Sequence, residues 1–270
     1  MGGPRWEIAG EGPAAAYERN LVPAFFAGCA ERLLDFAEVR PGERILDVAC
    51  GTGIVARLAA GRVGAEGTVT GTDVDEGMLA VAAAAEAPGP VEWRRADLTA
   101  LPFEDGSYDL VTCQQGLQFV ADRPGALREM RRVLVPDGRL AVAVWRAIDV
   151  NPAFVAVADV LDRYAGTGAG MRMREPFAGP DRDDLHRLLT AAGCGGVRVR
   201  IGIIEVRFPS AREFLRRAVV STPLVELVGA LDEARREEME TELERTLTPY
   251  TDDDGIVFPF QTWLATAHRA

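Results

Sequence analysis

"ILDVACGTG", residues 45–53, is an apolar run that carries one aspartate, Asp47, and then breaks at Gly51 and Gly53. That is the pattern of a buried strand ending in a tight turn that opens a helix. Such a turn can cradle a phosphate on its backbone N–H groups, and it can equally hold a ligand with no phosphate.

The same alternation continues on the C-terminal side of this stretch. "RILDVAC" (44–50) reads as the strand and "TGIVARLAAGRV" (52–63) as its helix. "GTVTGTDV" (67–74) is a second strand ending on Asp73, and the alanine-rich "EGMLAVAAAAEA" (76–87) is a helix. "VEWRRADL" (91–98) is a third strand ending near Asp97, and "SYDLVTCQQG" (107–116) is a fourth. "PGALREMRRVL" (124–134) is a helix and "PDGRLAVAVW" (136–145) a turn and a fifth strand. Alternating strands and helices predict a parallel sheet covered on both faces, with ligands at the carboxyl ends of its strands. Gly51, Gly53, Asp73, Asp97 and Gln114 all fall at those ends.

Upstream, residues 14–39 carry helical periodicity, and Pro23 is expected to kink or divide the segment. Downstream of Trp145 the alternation loosens. Residues 151–164 and 181–193 read as helices and "GVRVRIGIIEVRF" (196–208) as a strand. Two helical stretches, 210–219 and 224–247, precede a final strand, "GIVFPFQTWLATAHR" (255–269). The helices between the last two strands read as an insertion that caps the ligand edge. The expected organisation is therefore an N-terminal helical segment (1–39) covering the cofactor site, a core (40–146), and a completion of the sheet with an inserted cap (147–270). All three belong to one structural domain.

Bulk properties narrow the function. With 270 residues and 48% hydrophobic content, the chain can bury a substantial core. A net charge of −11 repels phosphate backbones, so nucleic acid is not an expected partner. No apolar run reaches the ~18 residues of a membrane span. The start "MGGPRWEIAG" lacks the order of a secretory signal, and Trp6 stands where a myristoylation motif needs Ser or Thr. Cys29, Cys50, Cys113 and Cys194 form no CxxC pair, and His186 and His268 are the only histidines. A cytoplasmic chain without metal or disulfide framework is expected; the sequence leaves the oligomeric state open.

"GTGIVA" (51–56) also fits the dinucleotide fingerprint G-x-G-x-x-G/A, with Asp73 twenty positions beyond Gly53. Asp47 argues against it. A carboxylate inside the last turn of the strand would face pyrophosphate, whereas an ammonium or sulfonium would be attracted to it. Asp97 adds an acceptor suited to the exocyclic amine of adenine.

The motifs "ILDVACGTG" (45–53), "VTGTDVDEGML" (69–79), "RRADLTALPFEDGSYDLV" (94–111) and "QQGLQFVADRPGALREMRRVLVPDGRL" (114–140) occur in order. In these the chain resembles the class I S-adenosylmethionine-dependent methyltransferases, closest to the branch with the quinone C-methyltransferases and many small-molecule enzymes. The resemblance covers roughly residues 40–146 and implies an α/β, Rossmann-like, seven-stranded sheet, mostly parallel, with an antiparallel last strand. It implies S-adenosyl-L-methionine as cofactor and S-adenosyl-L-homocysteine as product. It also assigns roles. Gly51, Thr52 and Gly53 would form the cofactor turn, with Asp47 near the methionine end. Asp73 would accept from both ribose hydroxyls. Val74, Met78 and Leu98 would sandwich adenine, and Asp97 would bind its amine. Gln114 would lie along the methionine portion, and Tyr17 near the cofactor carboxylate.

The implied reaction is methyl transfer to a small, apolar or aromatic molecule on oxygen or carbon. Gln118 stands where relatives often carry histidine, and glutamine orients a hydroxyl without taking its proton. If residues 114–118 are helical, Gln114 and Gln118 point to one side. Two alternatives remain: a cyclase or other non-methylating enzyme that retains the cofactor site, and a nicotinamide oxidoreductase.

Overall fold

The computed structural model describes residues 12–270; Trp6 and the rest of the first eleven residues, where the expected N-terminal segment begins, lie outside the described residues. The N-terminal region is divided at Pro23, as the missing proline N–H demands. Helix α1 (Pro13–Asn20) gives way to a π-helical turn, Val22–Phe26, before α2 (Ala27–Phe36). Then β1 (Arg44–Val48), α3 (Ile54–Val63), β2 (Thr68–Asp73), α4 (Glu76–Ala84), β3 (Glu92–Arg95), β4 (Tyr108–Gln114), α5 (Arg123–Arg132) and β5 (Leu134–Trp145) alternate as the periodicity predicts.

Beyond β5 come α6 (Pro152–Ala165), α7 (Thr167–Arg174), α8 (Arg182–Ala191) and β6 (Cys194–Phe208). Helices α9 (Ala211–Val220), α10 (Leu224–Gly229) and α11 (Glu233–Thr246) follow, then β7 (Thr251–Asp252) and β8 (Gly255–Arg269). The sequence pattern missed α7, whose "TGAGMRMR" carries two glycines. It also merged α10 and α11, which separate where Asp232 caps α11 by accepting from the Arg235 N–H at 2.8 Å.

The sheet runs β3-β2-β1-β4-β5-β8-β6, with β7 paired to β8. Strands β3, β2, β1, β4 and β5 are parallel, and β8 lies antiparallel to β5. The expected seven strands are all present. The eighth, β7, is a two-residue strand that pairs Thr251 with Ile256.

Packing divides the chain into two compact units. One holds Phe26–Arg146, Gly179–Gly202 and Thr262–Ala270. Its sheet is sandwiched between two apolar layers: Leu33, Leu34, Ile45, Val55 and Leu264 on one side, Leu46, Val111, Leu127, Met130 and Leu185 on the other. The other unit holds the described residues up to Phe25, Ala147–Ala178 and Ile203–Gln261. Its centre is phenylalanine. Phe25, Phe154, Phe177, Phe208, Phe214, Phe258 and Phe260 are all buried, with neighbouring centroids 4.9–6.4 Å apart. The apolar stretches "FVAVADVL" and "IVFPF" therefore put their phenylalanines into a core. Among the described residues no helix is long and apolar enough to cross a membrane.

Candidate functional site

Within the first unit, the carboxyl ends of β1, β2 and β4 converge. The backbone leaves β1 through left-handed positions at Ala49 (φ 51°), Gly51 (φ 55°) and Gly53 (φ 84°), the last being the N-cap of α3. Glycine suits two of these for different reasons. A Cβ on Gly53 would lie 2.2 Å from the Trp93 ring, whereas a Cβ on Gly51 would meet no atom within 4 Å. Gly53 is thus required by packing, and Gly51 leaves open space beside the turn. The Gly53 N–H donates to the Cys50 carbonyl at 2.9 Å and closes the turn.

Asp73, at the end of β2, ties this turn down. Its Oδ2 accepts from the Gly51 N–H at 2.8 Å and its Oδ1 from the Asp75 N–H at 3.0 Å. Asp47 is buried and pairs in the ladder with Gly71 and Thr112. Its Oδ1 accepts from the Thr112 hydroxyl at 2.8 Å, while Oδ2 has no hydrogen-bond partner among the described residues. Burial pushes the Asp47 carboxyl up to about 7; the Thr112 hydroxyl and the Ala56 amide oppose the rise, and the nearby Asp73 charge adds to it.

The same neighbourhood holds further buried polar atoms without partners among the described residues: Thr52 Oγ1, Thr72 Oγ1, and the side-chain oxygens of Gln114 and Gln115. Buried polar groups in folded proteins are nearly always paired, so a cluster of exceptions at one sheet edge marks a place built for a ligand or water. The thiols there are poor nucleophiles: burial and the Asp47 and Asp73 charges push Cys113 up to about 12, and Cys50 is raised by the same causes.

The remaining expected residues of this unit follow the ends of β2 and β3. Val74 follows Asp73 and is 56% exposed, an unusual position for a large apolar side chain. Met78 is half-buried in the first turn of α4, where its N–H donates to Asp75 Oδ1 at 3.0 Å. Leu98 is buried. Asp97 accepts from the Thr99 N–H at 2.8 Å and hydroxyl at 2.7 Å, which hold its carboxyl below the ordinary range. The Ala96 N–H donates to the Asp73 carbonyl at 3.0 Å, which links the β3 exit to the β2 end. Tyr17 is half-buried on α1 and belongs to the other unit.

The segment 114–118 is not a helix, which corrects one expectation. Gln114 is the last residue of β4, Gln115 is left-handed (φ 57°), and only Leu117–Phe119 form a short 3-10 turn. The two amides consequently serve different partners. Gln114 Nε2 donates to the Phe26 carbonyl at 3.1 Å, and Gln118 Oε1 accepts from the Trp145 backbone N–H at 3.2 Å. Asp109, in "SYDLV", forms a two-pronged ion pair with Arg44 at 2.9 and 3.0 Å and is structural. His186 is exposed on α8. Sequence reasoning passed over Ala49, Thr72 and Gln115. Their signal is conformation or an orphaned oxygen, which no sequence pattern reveals.

Comparison with known proteins extends this geometry. Residues 46–142 match a family model described as a methyltransferase domain. Nocamycin O-methyltransferase of Saccharothrix syringae is 34% identical over 268 residues, covering 94% of each chain. A ubiquinone/menaquinone biosynthesis C-methyltransferase of Stenotrophomonas maltophilia is 46% identical over 119 residues, 43% of this chain and 47% of the relative. Among solved structures, YcgJ of Bacillus subtilis aligns with a TM-score of 0.57 at 19% identity, covering 89% of this chain and 97% of that one. The [4+2]-cyclase SpnF aligns with a TM-score of 0.53 at 21% identity, covering 90% and 80%. These two likenesses are of fold.

Proposed function

The chain belongs to the S-adenosylmethionine-dependent methyltransferases, and we propose that it methylates oxygen or carbon of a small, apolar or aromatic acceptor, with the cofactor held at the β1–β2–β4 edge. The observation that supports this site most is the coincidence of open space at Gly51 with unpartnered buried acceptors on Asp47, Thr52 and Gln114.

The residues present fit the cofactor. Asp47 Oδ2 is an unused acceptor for its ammonium. A carboxylate offers about four lone-pair sites; Asp73 spends two on Gly51 and Asp75, which leaves two for ribose hydroxyls. Exposed Val74, with Met78 and Leu98, offers an apolar slot for adenine, and ionised Asp97 offers an acceptor for its amine. Gln114 faces the methionine portion through its remaining oxygen. When bound, S-adenosylmethionine supplies an activated methyl group on a sulfonium.

The chain's own contribution is positional. Proximity and orientation alone can lower a barrier by ~7–11 kcal/mol in well-aligned reactions. Gln118 is fixed by the Trp145 N–H and orients the acceptor; an amide takes no proton. Either another residue serves as the base, or the acceptor is already ionised or acidic enough to ionise in water.

Turnover distinguishes the readings. Labelled S-adenosylmethionine incubated with a panel of phenols, quinones and polyketide-like compounds should give S-adenosylhomocysteine in step with a methylated product. A product isomeric with its substrate, without S-adenosylhomocysteine, would place the chain with cyclases instead. Titration with NAD should show no saturable binding; the family match already displaces the nicotinamide reading of residues 51–56.

A further inference from the structure

Gln115 carries an observation that the cofactor does not absorb. It is 4% exposed and adopts a left-handed backbone without being glycine, a strained conformation that persists only where its surroundings enforce it. Its Nε2 donates to Thr262 Oγ1 at 3.1 Å, and the Thr262 hydroxyl spends its own proton on backbone carbonyls, that of Val144 at 2.7 Å being nearest. The amide orientation is fixed by this chain of bonds. Turning it over would set its oxygen against an oxygen with no proton to give. The Gln115 Oε1 is consequently held away from Thr262, and it has no partner among the described residues.

Thr262 pairs in the ladder with Trp145, and the Trp145 ring meets Phe26 edge-on at 5.4 Å. Phe26 is also the residue whose carbonyl fixes Gln114. Two adjacent buried amides thus present pre-oriented acceptor oxygens, and their bonding partners, Phe26 and Thr262, are linked through the Phe26–Trp145 aromatic pair. Gln114 is matched by the cofactor in the reading above, which leaves Gln115 for a second molecule.

We propose that Gln115 is a specificity-determining residue: its side-chain oxygen accepts a hydrogen bond from a hydroxyl that the methyl acceptor keeps protonated, distinct from the atom that takes the methyl group, so the acceptor class is hydroxylated aromatics or enols. The inference rests on the proposed function. A site with a fixed, desolvated acceptor discriminates against analogues that lack the donor, because the acceptor is then left unpaired. No proton is transferred to the amide; Gln115 selects and orients only.

The test uses the full chain saturated with S-adenosylhomocysteine and titrated with 1-naphthol, 1-methoxynaphthalene and naphthalene. Wild type should bind 1-naphthol about 5- to 150-fold more tightly than the two probes without a donor. Gln115→Met, close in volume, should abolish that preference and leave affinity for S-adenosylhomocysteine unchanged. Gln115→Asn tolerates the left-handed backbone but draws the oxygen back by one carbon, and should give an intermediate preference. Equal binding of all three probes by wild type, no binding of 1-naphthol up to millimolar concentration, or an undiminished preference in the folded variants would overturn the proposal. Loss of fold in both variants would assign Gln115 to packing and overturn it as well. Failure of wild type to bind S-adenosylhomocysteine would instead bring down the cofactor reading on which the proposal stands.

Discussion

Asp73→Ala separates two jobs that the structure gives to one carboxylate. The first is local. Oδ2 holds the Gly51 N–H and Oδ1 the Asp75 N–H. Gly51 is half-buried and Asp75 exposed, so water can replace part of what is lost. The expected loss of stability is about 1–3 kcal/mol, and a fall in Tm of about 2–10 °C for a chain of this size. The second job is the proposed acceptance of ribose hydroxyls by the remaining lone pairs. A hydrogen bond to a charged group contributes ~1.5–3 kcal/mol, so affinity for S-adenosylhomocysteine should fall about 10- to 150-fold. Asp73→Asn keeps one carbonyl oxygen for one amide; it should regain part of the stability while still losing affinity. Calorimetric titration beside thermal melts reads both quantities. A folded Asp73→Ala variant with lowered Tm and unchanged affinity would show that Asp73 only secures the turn, and the ribose assignment would fall.

Gly51→Val places a β-branched side chain in the open space at a left-handed position and should abolish S-adenosylhomocysteine binding; normal binding by a folded variant would remove the ligand from this turn. Gly53→Ala should act on folding instead, with a Tm lowered by several degrees, because its Cβ would collide with Trp93. The buried Asp47, held near 7 rather than its ordinary ~3.9, favours the protonated form in the folded state, so its contribution to stability is fully present below about pH 4 and lost as pH rises through 7. The full span is about 4 kcal/mol; Asp47→Asn should flatten denaturation midpoints measured from pH 4 to 8, and an unaltered pH profile would refute the assignment. Gln118→Leu deprives the Trp145 N–H of its acceptor and should lower both Tm and turnover while sparing cofactor affinity, as melts and assays together would show.

The sheet was legible because its signals are local. Apolar runs punctuated by glycine and aspartate mark β1, β2 and β4, alanine content marks α4, and apolar residues at helical spacing mark α5. Asp47, Gly51 and Asp73 could be picked out for the same reason: each sits where a strand must end. What escaped depends on distant contacts. Gln118 at four residues from Gln114 suggested a shared helical face, but the left-handed Gln115 between them breaks that spacing and sends the amides to Trp145 and Phe26. The two-residue β7 exists only because Ile256 and Gly255 supply its partners. The phenylalanines of the second unit come from five separate stretches of chain, and nothing in any one of them shows that they pack on each other. Gln115 differs from Gln114 only by position in sequence; its meaning comes from Thr262, 147 residues away.

A crystal structure of the chain with S-adenosylhomocysteine bound tests the account most directly. The ligand should lie against Gly51 at the β1–β2–β4 edge, its ammonium on Asp47 Oδ2, its ribose hydroxyls on Asp73 and a donor on Gln114 Oε1. Density for the ligand elsewhere, or at this edge with the Asp47 and Gln114 oxygens still unpartnered, would contradict it.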